Sequence, residues 1–382
     1  MELLGKSKQE LQAYSKTLGE PSYRGRQIYH ALYAERKFDV ASFTNLPAAL
    51  REKLRQEATV TLPVVRQRYE SSDGSVRYLF GLSVGKEASA GIPKAARAKP
   101  TAVEAVFMPS EGRQTICIST QAGCAVDCQF CLTAKLGLIR NLTAGEMLAQ
   151  VLVPLVEMGG RESVGKMEDA EGEQESSALA ARTNVVLMGQ GEPLLNFEHV
   201  MAALRILLDA EGVGLSPKRV TLSTSGVVPG IERLAKEAVR PKLAISLNAS
   251  CDEQRDVLMP INKKYPLKVL MEACRRYPLR NWEHLTFEYV MLGGVNDKVE
   301  DARRVVKLLA ALDRVKVNLI PWNPGELPFK ESSAETIDRF QKALTDKGVP
   351  AFVRYSRGRD VMAACGQLAL MELNSSPLSF IR

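Results

Sequence analysis

The sequence of 382 residues lacks the features that would place it in a membrane or outside the cell. It contains no apolar run of the roughly eighteen residues that a membrane-spanning helix needs. The first dozen residues are polar and charged, so we expect no signal peptide. Seven cysteines are an odd number, and four of them fall between Cys117 and Cys131, which is unlike a secreted disulfide framework. We therefore expect a cytoplasmic protein without membrane association.

A triplet of cysteines, Cys124, Cys128 and Cys131, organises the rest of the chain. Thiolates are soft ligands, and three at these spacings suit an iron–sulfur cluster. Gly123 permits the turn that must bring the three sulfur atoms together. Zinc is the rival metal, but a structural zinc site needs four ligands, and the only three histidines are distant in sequence. Three ligands on a four-iron cluster would leave one iron open for chemistry.

Acidic residues are concentrated in one stretch, which leaves the body of the chain basic. The net charge is +7, although residues 162–177 carry six acidic residues and one lysine. This stretch has little to bury, and we predict an acidic surface insertion over 162–182. The basic remainder favours an anionic partner, with nucleic acid the first candidate, while a simple contribution to solubility stays open.

From residue 102 onward, apolar and β-branched runs alternate with helical patterns. This alternation predicts an α/β fold with parallel strands covered by helices, and six βα units predict a partial (β/α)6 barrel resembling an incomplete TIM barrel. The predicted strands are Val103–Met108, Thr115–Thr120, Asn184–Met188, Val220–Thr224, Lys242–Leu247, Leu285–Leu292, Lys316–Ile320 and Pro350–Tyr355. The predicted helices include Phe197–Leu208, Leu267–Arg276, Glu300–Leu312 and Ala334–Lys347.

Two smaller pieces precede the predicted barrel. Residues 1–60 show three helical patterns with an excess of Lys and Arg, which predicts a small helical domain that grips an RNA backbone or presents a solvated surface. Residues 61–101 predict a β-hairpin around Ser71-Ser72-Asp73-Gly74, followed by an exposed insertion over 86–101. We assign residues 102–345 to the barrel and residues 346–382 to a C-terminal strand and loop.

The spacing of the cysteine triplet, with Phe130 just before the third cysteine, resembles the signature of radical S-adenosylmethionine (SAM) enzymes. Polar motifs at the ends of later strands support a cofactor site, because barrels place their chemistry at that edge. Glu192 can accept a hydrogen bond from the SAM amino group, and Ser223 and Asn323 can bind its carboxylate or ribose. Gly191 allows close approach of the backbone.

Further motifs resemble a more particular family. They are Glu104-x-Val106, Cys117, the cysteine triplet, GEPLLN at 191–196, TLSTSGVVP at 221–229, PINKKY at 260–265, NLIPWNP at 318–324 and a last segment with Arg357-Gly358 and Ala364-Cys365-Gly366-Gln367. Together, in collinear order over nearly the whole chain, they are similar to the RlmN family of ribosomal RNA and tRNA adenine carbon-2 methyltransferases. The chain departs from the family pattern at Gln190, where Met is frequent, and at Asn248, where His is frequent.

The resemblance implies a set of functional residues. The cysteine triplet would hold a [4Fe–4S] cluster whose open iron binds SAM. One SAM would methylate Cys365, and a second would give a 5′-deoxyadenosyl radical that takes hydrogen from the S-methyl group, so that the methylene radical adds to adenine carbon 2. Cys117 would release the product through a transient disulfide with Cys365, and Glu104 would accept a proton. The implied SAM pocket comprises Gly191, Glu192, Ser223, Ser246, Leu247, Asn248 and Asn323.

The resemblance also implies partners, namely 23S rRNA, tRNA and an external reductant such as flavodoxin, with the protein acting as a monomer. Three alternatives stay open. A Cfr-like enzyme would use the same cysteines to methylate carbon 8 of the adenine. A radical SAM enzyme acting on a small molecule or peptide would not need Cys117, Cys365 and a basic helical domain. An iron–sulfur electron carrier would not need polar strand ends.

Overall fold

A sheet of ten strands runs through the part of the chain that the computed structural model describes, which is residues 1–82, 101–163 and 182–369. The insertions predicted at 86–101 and 162–182 lie outside these ranges except for their end residues. The strands are β1 Val64–Glu70, β2 Val76–Gly81, β3 Ala102–Ser110, β4 Arg113–Cys117, β5 Gln121–Gly123, β6 Leu138–Asn141, β7 Thr183–Leu187, β8 Val220–Thr224, β9 Lys242–Ser246, β10 Leu285–Met291, β11 Val315–Pro321 and β12 Ala351–Val353.

The helices cover the outer face of this sheet and form the N-terminal region. They are α1 Lys8–Thr17, α2 Tyr23–Tyr33, α3 Ala48–Glu57, α4 Ala144–Ser163, α5 Phe197–Leu207, α6 Val228–Leu234, α7 Asp252–Leu258, α8 Leu267–Arg276, α9 Val299–Leu309 and α10 Ala334–Thr345. In the described ranges, no helix combines the length and the apolarity that crossing a bilayer requires.

The order of the strands confirms the predicted α/β partial barrel. The large sheet runs β1-β2-β3-β4-β7-β8-β9-β10-β11-β12. Pairing is antiparallel from β1 to β4 and parallel from β4 onward. Strands β4 and β7–β11 supply the six predicted βα units, β12 adds a parallel strand at one edge, and the β1–β2 hairpin extends the other edge through β3.

The N-terminal helices share the core of the barrel. Leu11 of α1 and Ile28 of α2 belong to the same buried apolar cluster as the barrel residues Leu148 and Leu204. The Tyr29 hydroxyl donates to Asp209 after α5 at 3.0 Å. All three helices lie where the apolar periodicity predicts them, and their packing fixes this basic region against the outer helices of the barrel.

Several elements differ from the sequence prediction around the cysteine triplet. Strand β4 ends at Cys117, three residues earlier than predicted, because the next segment leaves the sheet and pairs as β5 with β6. The Thr120 N–H donates instead to the Gln190 carbonyl at 2.8 Å. The short strands β5 and β6 and the seven-residue helices α6 and α7 were not predicted, since so few residues carry little periodic signal.

Candidate active site

Two short strands close the base of the loop that carries the cysteine triplet. Gly123 at the end of β5 pairs with Leu138 of β6, and the Cys124 N–H donates to the Gly137 carbonyl at 3.0 Å. Gly123 has a φ of +73°, and a Cβ at this position would lie 1.8 Å from the Gly137 oxygen. Only glycine fits such a position. The structure thus confirms that Gly123 permits the turn.

The thiols of the cysteine triplet lie close enough to shift one another's pKa. Burial raises the pKa of Cys124 to about 12 and that of Cys128 well above its ordinary value, and charge on the neighbouring thiolates raises both further. Burial also raises the pKa of Cys131. Sulfur donors that resist ionisation together suit a cationic metal group, because its charge stabilises the thiolates.

The ligand chemistry of the cysteine triplet is compatible with a cluster. Within the described ranges, no three His, Cys, Asp or Glu side chains form a group that could hold one metal ion. A four-iron cluster is larger than one ion, so its ligands need not converge on a single point. The cysteine triplet therefore fits a [4Fe–4S] cluster, with the three thiolates as its ligands.

The aromatic residue of the motif attaches the cysteine loop to the barrel. Phe130 is buried in an apolar cluster with Leu258, Val290 and Trp322, which lie at or beyond the ends of α7, β10 and β11. The N–H of Gln129 donates to the Leu258 carbonyl at 3.0 Å. The loop is thereby placed over the carboxyl ends of the barrel strands, as predicted for the chemistry of this fold.

Glu192 follows β7 and joins three segments of the site. Its carboxylate accepts hydrogen bonds from the Leu194 N–H at 3.0 Å and the Ser225 N–H at 2.7 Å, and its own N–H donates to Gln121 at 2.8 Å. Burial raises its pKa, and its charge raises the pKa of two thiols of the cysteine triplet, so the carboxylate lies beside them. A carboxylate offers about four acceptor sites, which leaves room for a further donor such as an amino group.

Gly191 provides the turn that aims Glu192. It has a φ of +95°, and a Cβ there would lie 2.5 Å from the Gln121 Cβ. A larger residue would therefore be strained in its backbone and would collide with the chain that leads to the cysteine loop. The close packing of Gly191 against Gln121 is a contact within the protein, and the predicted close approach of the Gly191 backbone to SAM stays a prediction.

A row of polar side chains crosses the inner face of the barrel. The strand register places Ser246 of β9 beside Glu288 of β10, and Glu288 beside Asn318 of β11. The Ser223 hydroxyl of β8 donates to the Glu288 carboxylate at 3.2 Å and lies 3.3 Å from the Ser246 hydroxyl. Burial raises the pKa of Glu288. Because branched apolar side chains usually fill barrel interiors, this row indicates a site for a polar ligand.

A fully buried guanidinium fixes the strand ends around this polar row. Arg255 donates to the carbonyls of Ser225, Ser246 and Leu247 at 2.6, 3.1 and 3.1 Å, and to the Asn262 side chain at 3.0 Å. Burial lowers the Arg255 pKa to about 10. Charge-assisted hydrogen bonds to three carbonyls hold the ends of β8 and β9 in one arrangement. Leu247, one of the residues predicted to bind SAM, contributes its backbone carbonyl to this arrangement.

Two asparagines predicted to bind SAM are bonded to the protein. Asn248 accepts from the Val290 N–H at 2.8 Å and donates to a methionine sulfur at 3.3 Å. Asn323 donates to the Cys365 carbonyl at 3.1 Å and to Ser356 at 2.9 Å. In this structure both side chains position backbone segments of the site, and their contact with SAM stays a prediction.

Cys117 and Cys365, the two cysteines implied in methyl transfer, lie near each other in the barrel. Cys365 as a whole residue is exposed, and it lines a cleft together with Phe130 and Trp322. Its sulfur is buried within that cleft, and this burial raises the pKa of the thiol; the charges of Glu288, Cys131 and Cys117 act in the same direction. Burial raises the pKa of Cys117 to about 12. The structure thus brings both cysteines to the polar row and the cysteine triplet.

Glu104 occupies the inner face of the antiparallel extension. It lies two residues from Val106, which pairs with Cys117 across β3 and β4, so all three share one face. The Glu104 carboxylate is fully buried in an ion pair with Arg77 of β2, and its N–H donates to Gln190 at 3.2 Å. Glu104 is therefore held at the side of the site nearest Cys117.

Comparisons with known proteins identify the family. Residues 118–308 match the radical SAM superfamily, and residues 1–60 match the ribosomal RNA large subunit methyltransferase N-terminal domain. A protein of Koribacter versatilis named a probable dual-specificity RNA methyltransferase RlmN is 48% identical, with 93% of this chain and 98% of that protein covered. The chain belongs to the RlmN family of radical SAM enzymes.

Two further relatives support the RlmN assignment. A dual-specificity RNA methyltransferase RlmN of Bartonella bacilliformis is 41% identical, with 96% of this chain and 86% of that protein covered. The crystal structure of a radical SAM methyltransferase from Sphaerobacter thermophilus matches with a TM-score of 0.83 and 40% identity over 96% of this chain and 99% of that one. The predicted cofactors, a [4Fe–4S] cluster and SAM, are those of this superfamily.

Sequence reasoning missed three charged residues of the site in this RlmN-family protein. Glu288 and Arg77 each stand in an otherwise apolar strand, LTFEYVM and VRYLFG, where a charge facing the interior is a usable signal. Arg255 lies in the polar helix DEQRDVL, where an arginine is ordinary and gives no such signal. The role of Asn262 as a partner of Arg255 does explain one residue of the PINKKY motif.

Proposed function

We propose that this chain methylates carbon 2 of an adenine in 23S rRNA and in tRNA. The observation that carries the proposal is the position of the loop that carries Cys365. The carbonyl of Gly366 accepts a hydrogen bond from the Leu132 N–H, next to Cys131, at 2.8 Å, and Ala363 packs in the apolar cluster that includes Cys117. Adenine carbon 2 is not nucleophilic, so polar transfer of a methyl group from SAM to it would fail. A protein-bound methyl carrier next to a radical-generating cofactor provides a route to such a carbon.

In this proposal, Cys124, Cys128 and Cys131 hold the cluster, which when bound supplies the electron that splits SAM. Cys365 accepts the methyl group on its sulfur after losing its proton, because the thiolate is the nucleophile. Cys117 resolves the covalent product by forming a disulfide with Cys365. Glu104 accepts a proton during the reaction. The residues that bind SAM are Gly191, Glu192, Ser223, Ser246, Leu247, Asn248 and Asn323.

The proposal extends to the partners of the enzyme. The basic helical region of residues 1–60 grips the RNA backbone, and the target adenine leaves its stack to reach the barrel. The enzyme acts in the cytoplasm as a monomer and receives electrons from an external reductant such as flavodoxin. If the region of residues 1–60 contacts several phosphates, RNA affinity should fall about tenfold or more between 50 and 200 mM salt, and salt-independent binding would contradict an RNA substrate.

The direct test is to map the methyl group on the product. Reconstituted enzyme, SAM and reductant are incubated with a 23S rRNA fragment or with tRNA, and the RNA is digested to nucleosides for mass spectrometry. The expected product is 2-methyladenosine from both RNAs. An 8-methyl product would assign the Cfr-like activity instead. Release of deoxyadenosine with unmodified RNA would point to a small-molecule or peptide substrate.

A further inference from the structure

The turn of the β1–β2 hairpin is bonded directly to the loop that carries Cys365. The Ser71 hydroxyl and the Ser72 N–H donate to the two carboxylate oxygens of Asp360, at 2.5 and 2.9 Å. In the opposite direction, the Gly358 N–H donates to the carboxylate of Asp73 at 2.9 Å. We call these five residues the clasp. Its members come from opposite ends of the chain, since Ser71 and Asp360 are 289 residues apart.

Both carboxylates of the clasp are stabilised in their charged form. Hydrogen bonds from Ser71 and Ser72 lower the pKa of Asp360. Burial opposes ionisation of Asp73, but hydrogen bonds from Ser75, Gly358 and Ser71 outweigh it and lower the Asp73 pKa to about 2. Hydrogen bonds to a carboxylate are stronger than those between neutral groups, so the clasp is more than a chance contact between two loops.

The backbone that the clasp holds has a conformation it would not adopt alone. Gly358, Met362 and Gly366 all have positive φ, at +65°, +53° and +80°. A Cβ at Gly358 would lie 2.7 Å from the Ala363 Cβ, so only glycine can occupy that turn. Met362 has no such freedom, and a left-handed methionine persists only where its surroundings impose it. The clasp fixes the residues just before this turn.

The other end of the Cys365 loop is anchored inside the barrel. The Leu132 N–H, next to the cysteine triplet, donates to the Gly366 carbonyl at 2.8 Å. The Gln367 side chain donates to the Pro324 carbonyl after β11, also at 2.8 Å. Cys365 therefore lies between an inner anchor in the barrel and an outer anchor on the hairpin turn.

We propose that the clasp positions Cys365, so that the β1–β2 hairpin, through Ser71, Asp73 and Asp360, determines where the thiol lies in the barrel. The proposal rests on the proposed function in one respect, the role of Cys365 as methyl carrier. It gives the turn of the hairpin a task in the reaction, in addition to the contact that Arg77 of β2 makes with Glu104. Asp73, Asp360 and Ser71 act through the loop and are positioning residues.

The test compares Asp360→Ala, Ser71→Ala and the double variant with Asp39→Asn. The control changes a carboxylate that caps a turn in the N-terminal region and is remote from the Cys365 loop. In the protein without cofactors, the rate of Cys365 alkylation by iodoacetamide is followed by mass spectrometry, with buried Cys274 as internal reference. The clasp variants should react at least threefold faster and should exchange amide hydrogen faster in residues 357–366. The control should match the wild type.

The double variant tests whether the clasp acts through a single contact. Ser71 and Asp360 share a hydrogen bond, and Asp360→Ala also removes the acceptor of the Ser72 N–H, so the double variant should change the alkylation rate no more than Asp360→Ala alone. In the loaded enzyme, methylated RNA per deoxyadenosine released should fall at least threefold while iron content is unchanged. Additive single effects, or variants that lower only thermal stability and leave alkylation and this ratio unchanged, would overturn the proposal.

The two proposals can fail separately. If wild-type enzyme methylates no RNA but Cys365 is still alkylated faster in the clasp variants, the proposed function is wrong and the positioning role of the clasp is supported. If RNA is methylated normally and Cys365 reacts at the wild-type rate in every clasp variant, the hairpin is a structural attachment only and the inference is wrong.

Discussion

The half of the site that receives the cofactor and the half that carries Cys365 are built in different ways. The cofactor half consists of strand ends fixed by buried groups, above all Arg255 with its four hydrogen bonds. The Cys365 half is a loop with left-handed residues, attached at its outer end by carboxylate contacts at the surface of the hairpin. The buried hydrogen bonds of Arg255 hold the strand ends in one arrangement. The carboxylate contacts at the outer end of the Cys365 loop lie at the surface, where water can replace them.

This difference matches what the proposed function requires of each half. A cofactor reacts well only when it is held in one position, because misplacement of the reacting atoms is costly. A methyl carrier must meet SAM first and the base and Cys117 later, so its support has to open and close. Polar contacts to solvent-accessible carboxylates allow this, since lost hydrogen bonds are replaced by bonds to water.

The largest expected effect is the loss of activity when one cysteine of either half is replaced, and the two replacements should have different consequences. Cys128→Ser should lose iron, deoxyadenosine formation and RNA methylation together, since the cluster loses a ligand. Cys365→Ser should lose RNA methylation but keep its iron and its deoxyadenosine formation, because the cofactor half is intact. Iron analysis and liquid chromatography of the products measure all three quantities. If Cys365→Ser also lost iron, the two halves would not be independent.

A second prediction concerns the glycines at the base of the cysteine loop. Gly123→Ala should reduce iron loading several-fold, because the added Cβ would collide with the Gly137 carbonyl. Gly137→Ala is the matched control, since Gly137 also has positive φ but has no atom within 4 Å of an added Cβ. The control should cost about 2 kcal/mol of stability, because its φ of 60° and ψ of −177° lie in a region that essentially only glycine adopts, but it should cost little iron. Equal iron loss in both variants would mean that backbone strain, and not the collision, sets the effect.

The third prediction tests the rigidity of the cofactor half. Arg255→Leu leaves three buried carbonyls without a donor, so the free energy of unfolding should fall by about 3 kcal/mol or more. Arg303→Leu changes an exposed arginine of α9 whose ion pair with Glu300 spans 3.6 Å. It should leave the unfolding midpoint nearly unchanged. Denaturant titration of both variants measures the two free energies of unfolding. A small effect of Arg255→Leu would contradict the claim that Arg255 stabilises the cofactor half.

The smallest effect concerns pH and the Cys365 half. The folded pKa of Asp73 is about 2, below its ordinary 3.8, so its contribution to stability is present above 3.8 and is lost as the pH falls toward 2. Hydrogen-exchange protection of residues 357–366, corrected for intrinsic rates, should therefore stay constant from about pH 8 to 5. It should decline below about pH 4. A decline near neutral pH would show that another group controls the loop.

Local patterns predicted the cofactor half well and the Cys365 half poorly. Strand β8 and helix α8 have the predicted boundaries, and the motifs at their ends follow from chain order in a parallel barrel. The clasp could not be predicted, because it depends on a contact between segments far apart in sequence. The contacts of Glu288 could not be predicted either. Its partners Ser223 and Asn318 lie on other strands, and the strand register decides which residues become neighbours.

The most direct test of the account is the methylation state of Cys365. Enzyme with reconstituted cluster is incubated without oxygen with isotope-labelled SAM and reductant, and the peptide that contains Cys365 is analysed by mass spectrometry. The account predicts a labelled methyl group on Cys365 in wild-type protein. Deoxyadenosine release with an unmodified Cys365 would contradict it, because the thiol would then be a structural residue and the radical would serve another substrate.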